Sequence, residues 1–228
     1  METVLEGIPF SVDRARLESA LGAPPDAYSS LRTEEMAREA EAAGAPSAVY
    51  RISRLARPRA DGVDIDGISF DGTLLAENLD GQKTVFPFIA TCGTHLEEWA
   101  GSFCDMLDRY RADVIANLAL ESAVDSLKTL IAERHGAGPL AMMNPGSLAT
   151  WPLDEQRKLF ALLGRSAARI GVALTDSLVM RPLKSISGIF FTSSEGFVSC
   201  ERCPRAACGL RRAPFNGCAA GTGAAATC

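Results

Sequence analysis

The sequence has no apolar run of about 18 residues, the length that a membrane-spanning helix needs. Its opening residues, METVLEGIPF, lack the basic and apolar regions of a signal peptide. Together these absences predict a cytoplasmic protein. The P-loop, G-x-G-x-x-G and G-x-S-x-G motifs are also absent. This argues against the common nucleotide-binding and hydrolase classes.

Histidine is scarce, with His95 and His135 as the two examples. Each lies near an end of a predicted helix, where a positive charge on His135 would suit the C-terminal helix dipole. Neither has an acid or base nearby in the sequence that would make it a general base. We therefore expect structural roles for both.

The length of 228 residues suits one large domain, or a domain with a small appendage, and allows a substantial core. The composition is 47% hydrophobic and 22% charged, which is typical of a soluble globular protein. A net charge of -5 argues against broad binding to nucleic acid or membrane surfaces. We expect a single domain at 1–199 and a cysteine-rich C-terminal segment at 200–228.

Capping residues predict where the helices begin. Ser11 is a candidate N-cap for a helix that ends at Gly22, and Thr33 is a candidate N-cap for a second helix. The residues from Thr94 to Glu97 form a capping-box pattern, and Asp113 is the candidate cap of a long helix. Apolar residues recur along the inner face of that long helix at Leu120, Val124, Leu127 and Ile131.

Runs of β-branched and aromatic residues predict the strands. Asp66-Gly67 suits the tight turn of a hairpin, because glycine adopts a positive φ readily. The run at 84–91 predicts a strand, and Pro87 within it indicates an edge position. We expect these strands to form an antiparallel sheet on which the helices pack, which is an α+β fold.

The functional interpretation depends on residues 171–191, which predict two strands around a polar corner. Side chains alternate along a strand, so several hydroxyl groups fall on a common face. They belong to Thr175, Ser177, Ser185 and Ser187. Gly188 has no Cβ, so a ligand or another backbone can approach it closely. The alternative is that the hydroxyls line the solvent side of an antiparallel hairpin.

A second polar feature is the turn Asn144-Pro145-Gly146-Ser147, which precedes a helix predicted at 154–164. A turn of this composition leaves backbone amides facing outward, as in loops that grip a small ligand without charged side chains. We expect the turn, the helix and the following strand to frame a ligand.

The run L-T-D-S-L-V-M-R-P-L-K-S-I-S-G-I-F-F at 174–191 resembles a family signature. That signature is L-T-E-S-x-x-M-x-P-x-x-S-x-S-G-x-x-F, from the reactivation domain of cobalamin-dependent methionine synthase. Upstream, Pro145-Gly146 followed by Ala149, Trp151 and Pro152 is similar to that domain's P-G-Y-P-A-C-P turn, with the last proline one position later. The resemblance covers residues 115–195 well and the N-terminal third much less.

The resemblance implies a twisted antiparallel sheet with helices that binds S-adenosylmethionine. It also implies that the domain caps the corrin of cobalamin while the oxidised cofactor is reductively methylated. The cofactor-binding positions that we carry over are Asn144, Pro145, Gly146, Ser147, Thr175, Asp176, Ser177, Ser185, Ser187 and Gly188. No residue is assigned a catalytic role.

Three positions depart from the family pattern. Met142 stands where the family has arginine, Ser147 where it has tyrosine, and Asp176 where it has glutamate. Loss of the arginine removes the guanidinium that would pair with the carboxylate of S-adenosylmethionine. Asp176 is one methylene shorter than glutamate but keeps its negative charge.

The chain has no counterpart of the cobalamin-binding, folate and homocysteine modules of a full synthase. The resemblance therefore implies a stand-alone reactivation-type subunit that acts on a separate corrinoid protein, with an electron donor as a further partner. Whether the subunit has enzymatic activity is left open. One alternative is a corrinoid-binding or metal-binding accessory protein without methyl transfer, and another is a redox module built on the cysteines.

Five of the seven cysteines lie after residue 199, and the odd total disfavours a disulfide framework. Cys200, Cys203 and Cys208 lie close together, and Cys218 follows ten residues later. Thiolates at this density favour an iron–sulfur cluster or zinc, with these four as the candidate ligands. Reduced surface thiols are the alternative.

Overall fold

The computed structural model describes residues 2–22, 27–56, 59–194, 196–205, 211 and 213–216. The helices in these ranges are α1 (Arg14–Leu21), α2 (Ala27–Ala43), α3 (Thr73–Leu79), α4 (Thr94–Gly101), α5 (Met106–His135), α6 (Gln156–Leu163) and α7 (Ser166–Arg169). The strands are β1 (Glu2–Leu5), β2 (Ser47–Arg51), β3 (Ser53–Arg54), β4 (Gly62–Ile65), β5 (Ile68–Asp71), β6 (Thr84–Thr91), β7 (Leu140–Met143), β8 (Ala173–Leu174), β9 (Met180–Arg181) and β10 (Ser185–Thr192). The predicted α+β class is confirmed.

The main sheet is antiparallel, in the order β1-β2-β6-β10-β7, with β3 also paired to β6. Strand β10 pairs with β6 from Ser185 to Phe190, but with β7 only from Ile189 to Thr192. Residues 185–188 therefore extend past the end of β7. This places the polar start of β10 beside the turn that follows β7.

The two faces of the sheet pack against different helices, because side chains alternate along each strand. On one face, Leu127 and Ile131 of α5 pack in a cluster with Phe88 and Phe190. On the other face, Ile89 packs in a cluster with residues of α6 and α7 such as Leu163 and Ala167. The sheet is therefore covered by helices on both sides. The predicted inner face of the long helix is confirmed at Leu127 and Ile131, which are fully buried.

Helix α5 contains 30 residues. At 1.5 Å per residue it is about 45 Å long, longer than any strand that it covers. Its C-terminal part packs on the sheet, and its N-terminal part packs against α1, α2 and α4 around Leu17, Met36 and Leu96. One helix thereby joins the helical end of the molecule to the sheet.

The edge position predicted for the strand with Pro87 is wrong, since β6 lies between β2 and β10. On its β2 side, β6 pairs with Ser47–Tyr50 and then with Ser53–Arg54. The two residues between these segments do not pair with β6. By register, that break lies opposite Pro87. The proline lacks a backbone N–H, and it is tolerated in a central strand where the neighbouring ladder is interrupted.

Two predicted N-caps at the start of the chain are wrong. Asp13 caps α1, and its side chain accepts the backbone N–H of Arg16 at 3.1 Å, while Gly22 ends the helix as predicted with φ 74°. Thr33 lies inside α2, where its hydroxyl donates to the carbonyl of Ser29 at 2.7 Å. A threonine whose hydroxyl bonds back by one turn is compatible with a helix interior.

The capping box at Thr94 is also absent. Gly93 occupies the N-cap position of α4 with no side-chain cap. The Glu97 carboxylate accepts the backbone N–H of Leu183, so a distant segment of the chain uses the acid that was expected to cap the helix.

The long helix begins earlier than predicted. Asp105 caps α5 by accepting the backbone N–H groups of Leu107 and Asp108. Asp113 lies within the helix and its carboxylate pairs with Lys184 Nζ at 2.9 Å. Asp113 therefore forms a tertiary ion pair and does not cap the helix.

The first strand of the polar corner is mostly absent. Residues 171–180 contain only the two-residue strand β8 and the first residue of β9, which form a small separate hairpin with Ala173 paired to Arg181. The second predicted strand is confirmed as β10. In the part of the chain that the structure describes, no helix is long and apolar enough to cross a membrane.

Candidate functional site

The turn after β7 is held by its own hydrogen bonds. Gly146, at φ 77°, donates its N–H to the carbonyl of Trp151 at 2.8 Å, and Ser147 donates its N–H to the carbonyl of Asn144 at 3.2 Å. Pro145 is buried. These two amides, which were expected to face a ligand, are therefore engaged within the loop.

Asn144 ties the turn to β10. Its side-chain Nδ2 donates to the carbonyl of Ser187 at 2.8 Å. A Cβ on Gly188 would lie 2.5 Å from that Nδ2 and 2.4 Å from the carbonyl oxygen of Met143. Glycine is therefore required at 188 by the close approach of the turn. The structure brings Asn144, Ser187 and Gly188 together, and their predicted role in ligand binding stays a prediction.

The predicted hydroxyl pair at the corner forms a closed turn. Thr175 Oγ1 accepts the N–H of Val179 at 3.1 Å and lies 3.0 Å from both the Val179 carbonyl and Ser177 Oγ. The carbonyl of Asp176 accepts from Arg157 Nη2 at 2.7 Å, which fixes the turn to α6. The Asp176 side chain is exposed. A ligand-binding role for these three residues stays a prediction.

The serines of β10 point to the face opposite α5. Ser185 Oγ lies at hydrogen-bonding distance from two acceptors, Thr91 Oγ1 at 2.9 Å and the carbonyl oxygen of Pro182 at 2.7 Å. Ser187 is 3% exposed. By alternation Ile186 and Gly188 face the opposite way, toward α5. The hydroxyl face and the glycine therefore do not open into the same space.

A cleft of about 550 Å³ lies on the α5 side of this region. Its apolar wall comes from Leu120 and Val124 of α5 together with Met142 of β7 and Ile186 of β10. The volume falls in the range of about 300–1,000 Å³ that is typical of small-molecule sites. The cleft includes Met142, the position where the sequence lacks the family arginine.

A polar wall lies beside the apolar residues of α5 and consists of Arg16, Asn117, Glu121 and Asp125. Arg16 and Glu121 form an ion pair between α1 and α5, and Asn117 Nδ2 donates to Glu121 Oε1 at 3.2 Å. Asp125 is exposed, one turn farther along α5. The wall therefore presents two carboxylates and one guanidinium.

A longer groove of about 840 Å³ continues from this cleft, between the segment at residues 4–13 and α5. Arg16 and Asp125 line both cavities. Hydroxyl groups of Ser122, Ser126 and Thr129 are among the lining residues of the groove. A ligand larger than the first cleft could extend along the helix.

Sequence reasoning missed the polar wall. Asn117, Glu121 and Asp125 recur every four residues and so share one helix face, beside the apolar positions Leu120 and Val124. That spacing was the available signal. It is indistinguishable from an ordinary solvated helix face until β7 and β10 are placed next to it.

The predicted metal ligands are only partly described. Cys200 lies within the 3₁₀ turn Ser199–Arg202, and Cys203 follows it directly. Both are half-buried, whereas Cys208 and Cys218 lie outside the described residues. Within the described ranges, no three histidine, cysteine or acidic side chains are grouped so that they could hold a metal. The metal site stays a prediction.

Comparison with known proteins gives a family match and a similar solved structure. Residues 143–199 match the family model described as vitamin B12 dependent methionine synthase, activation domain. No curated protein matches the chain. Among solved structures, the chain is similar to the MetH reactivation domain bound to AdoHcy, with a TM-score of 0.60 and 15% identity over 84% of this chain and 78% of that one.

The match at 143–199 begins at the end of β7 and includes the turn, α6 and β10. It therefore contains the signature run on which the predicted resemblance depended, and the structural similarity extends to most of the chain. The predicted resemblance is confirmed: residues 143–199 match the family model of the vitamin B12 dependent methionine synthase activation domain, and the chain has the fold of the MetH reactivation domain.

Proposed function

We propose that this chain is a stand-alone reactivation-type subunit that binds S-adenosylmethionine and supports reductive methylation of a corrinoid held by a separate protein. The observation that carries the proposal is the cleft between α5 and the β7 and β10 strands, next to the family segment. Its size and its mixture of apolar and charged walls suit an amphipathic ligand with several charges.

The charges of the cleft complement those of S-adenosylmethionine, which has a cationic sulfonium, a cationic amine and a carboxylate. Asp125, which is exposed, attracts the cationic groups, with Glu121 one turn away. Arg16 is paired with Glu121, and its remaining N–H groups are donors for the carboxylate. The apolar wall at Leu120, Val124, Met142 and Ile186 accepts the uncharged part of the ligand. Arg16 would thereby take over part of the role that the absent family arginine has.

This chain's contribution to the reaction is to bind and orient the methyl donor. Cobalamin on the partner would supply the cobalt, which would take one electron from a donor protein and then the methyl group of the sulfonium, leaving S-adenosylhomocysteine as the product. When the methyl donor is bound in one orientation next to a docked corrinoid, the two reactants no longer need to meet by diffusion in the correct geometry. The hydrogen bond from Asn144 Nδ2 to the carbonyl of Ser187 holds the adjoining turn against β10.

Isothermal titration of the full chain with S-adenosylmethionine tests the proposal. We expect saturable binding that Asp125→Lys weakens about tenfold, and by more than it weakens AdoHcy binding, because AdoHcy has no sulfonium charge. Glu98→Lys is the matched control, since it makes the same charge change at an exposed position of α4. Equal weakening of both ligands, or by both variants, would refute the proposed orientation.

The same titration tests the other predicted residues. If Thr175, Asp176 and Ser177 bind the ligand directly, Thr175→Val and Ser177→Ala will weaken binding while Asp125→Lys will not. Saturable binding of cobalamin without any binding of S-adenosylmethionine would instead support the alternative of a corrinoid-binding accessory protein. Co-purification of a corrinoid protein under reducing, anaerobic conditions would support the partner assignment.

A further inference from the structure

Strand β1 forms one edge of the main sheet. It pairs with β2 from Glu2 to Leu5, and β2 is its one partner strand in the part of the chain that the structure describes. Its two faces pack against helices, because Val4 joins the cluster of α6 and α7 and Leu5 joins that of α5. Every second residue of an edge strand points its backbone N–H and C=O away from the sheet. β1 is therefore a fixed strand with hydrogen-bonding groups available for an added strand.

The groove of about 840 Å³ lies beside this edge, between the segment at residues 4–13 and α5. Its α5 wall runs from Leu118 to Glu133. That part of the helix is about 22 Å long at 1.5 Å per residue. An extended chain rises about 3.4 Å per residue, so the wall matches about six residues of a strand. The groove is thus long enough for an extended peptide that adds to β1.

Negative charge dominates the groove. The carboxylates that line it are those of Glu6, Asp13, Asp125 and Glu133. The guanidinium of Arg16 also lines the groove, but it is paired with Glu121. Asp125 and Glu133 are exposed, so their charges can attract a ligand from solvent. The groove therefore favours a positively charged occupant.

Apolar side chains from both walls lie among these charges. They belong to Val4, Leu5, Ile8, Pro9, Leu118 and Leu130. Lysine and arginine side chains suit such a mixed surface, because their aliphatic stems cover apolar groups while their charged ends reach carboxylates. The lining thus matches basic side chains better than a metal ion or an uncharged ligand.

A second copy of this chain fits the edge less well. Two β1 strands paired across a two-fold axis would bring the same groove of each copy to one interface. The carboxylates of the two copies would then lie close together, and like charges across paired strands are destabilising. The charge of the groove therefore favours a strand of opposite charge from a different protein.

We propose that β1 and this groove bind an extended basic segment of a partner protein, which pairs with β1 as an added strand. Side chains alternate along a strand, so every second side chain of the partner segment points to the α5 side. Lysine or arginine at those positions reaches the carboxylates of the groove. Glu133 lines the groove but not the S-adenosylmethionine cleft, and the binding requires no methyl donor. The inference is therefore independent of the proposed function.

The probe is a fluorescein-labelled heptapeptide in which lysine and threonine alternate, titrated against the full chain by fluorescence anisotropy at low salt. We expect saturable binding that Glu133→Lys weakens about tenfold. Glu77→Lys is the matched control, because it makes the same charge change at an exposed position of α3 outside the groove, and it should bind as wild type does. No saturable binding, or equal weakening by both variants, overturns the proposal.

Methylated peptides separate strand pairing from simple charge attraction. In a strand, the N–H groups of every second residue point to the same side. One heptapeptide therefore has N-methyl groups on its lysine amides and the other on its threonine amides. One of the two should bind about tenfold more weakly than the other, because a single set of amides faces β1. Equal binding of the two methylated peptides overturns strand addition.

Hydrogen exchange of the backbone amides locates the bound peptide. The unmethylated heptapeptide should slow exchange at residues 2–5 and leave residues 140–143 of β7, the other edge of the sheet, unchanged. Slower exchange at β7 without a change at β1 overturns the proposal. Analytical ultracentrifugation of the chain alone should show a monomer. A dimer with slowed exchange at residues 2–5 overturns the assignment in favour of a second copy.

Discussion

Gly188 shows how a single residue can fix the geometry beside the cleft. Its hypothetical Cβ would collide with a backbone carbonyl, with Asn144 Nδ2, and at 3.0 Å with the ring of Phe88. Gly188→Ala should lower the free energy of unfolding by about 1–3 kcal/mol, because the turn or the strand must shift. Denaturant unfolding measures this change.

Gly101→Ala is the control for that substitution, since a Cβ there meets nothing within 4 Å. It should leave stability unchanged or raise it slightly, as alanine favours a helix end more than glycine does. If both variants match the wild type, the packing of Asn144 against Gly188 is looser than described.

Cys92 differs from the C-terminal cysteines in its surroundings. It is fully buried at the end of β6, and burial, with a smaller effect from Glu97, raises the pKa of its thiol to about 12. The thiol is therefore protonated near neutral pH and should be inert toward alkylation. Iodoacetamide at pH 8 followed by peptide mapping should label exposed Cys104 and leave Cys92 unlabelled until the protein is denatured.

His135 makes stability depend on pH. Its Nε2 lies 2.8 Å from the hydroxyl of buried Tyr50, and its ring stacks on Phe86 at 5.4 Å. Burial, and then the charge of Arg134, lower its pKa below the usual value. The folded state therefore favours neutral imidazole, and stability should fall as pH decreases from the unfolded pKa of about 6.5 toward the lower folded value.

Urea unfolding at pH 7.5 and 5.5 measures this effect. Wild type should lose stability at the lower pH, and His135→Gln should lose less. The carboxylates whose pKa values are lowered, such as Glu34 and Glu41, contribute to the pH dependence only near and below the usual glutamate pKa of 4.5. His95→Gln serves as control, and an unchanged pH dependence in His135→Gln would contradict the assignment.

At the scale of elements, the hairpin of β8 and β9 is closed by the hydroxyl of Thr175. This hydroxyl accepts the N–H of Val179. Thr175→Val removes the acceptor, so the Val179 amide should exchange its hydrogen with solvent faster. A hydrogen bond of about 1 kcal/mol corresponds to roughly fivefold faster hydrogen exchange at Val179. Ser177→Ala should change the exchange rate less, because the hydroxyl of Ser177 bonds to the hydroxyl of Thr175 and not to the Val179 amide. Equal exchange in all three proteins would contradict this account.

Local signals predicted some elements well. Asp66-Gly67 formed the expected hairpin turn, with φ angles of 48° and 85°, because a two-residue turn depends on its own residues. Caps were less predictable. Glu97 and Asp113 resembled capping acids, but their carboxylates bind Leu183 and Lys184, which lie far away in the sequence.

At the scale of the whole molecule, the family signature predicted the fold, and its assignment of ligand-binding residues stays a prediction. Asn144 and Gly188 could be expected near each other, since the resemblance placed both at the ligand. The polar wall at Glu121 and Asp125 could not, because it depends on how α5 is placed against Met142 and Ile186. The proposed domain boundary at 199 stays a prediction.

The proposed function requires that S-adenosylmethionine occupies the cleft lined by Arg16, Asp125, Met142 and Ile186. The most direct test is calorimetric titration of wild type, Met142→Arg and the uncharged control Met142→Gln. Each protein is titrated with S-adenosylmethionine and with its decarboxylated analogue. We predict that Met142→Arg binds S-adenosylmethionine about tenfold more tightly, because the new guanidinium gains a charge-assisted contact with the carboxylate of the ligand. The decarboxylated analogue should show no gain in affinity. No saturable binding by the wild type, or an equal gain for both ligands, would contradict the account.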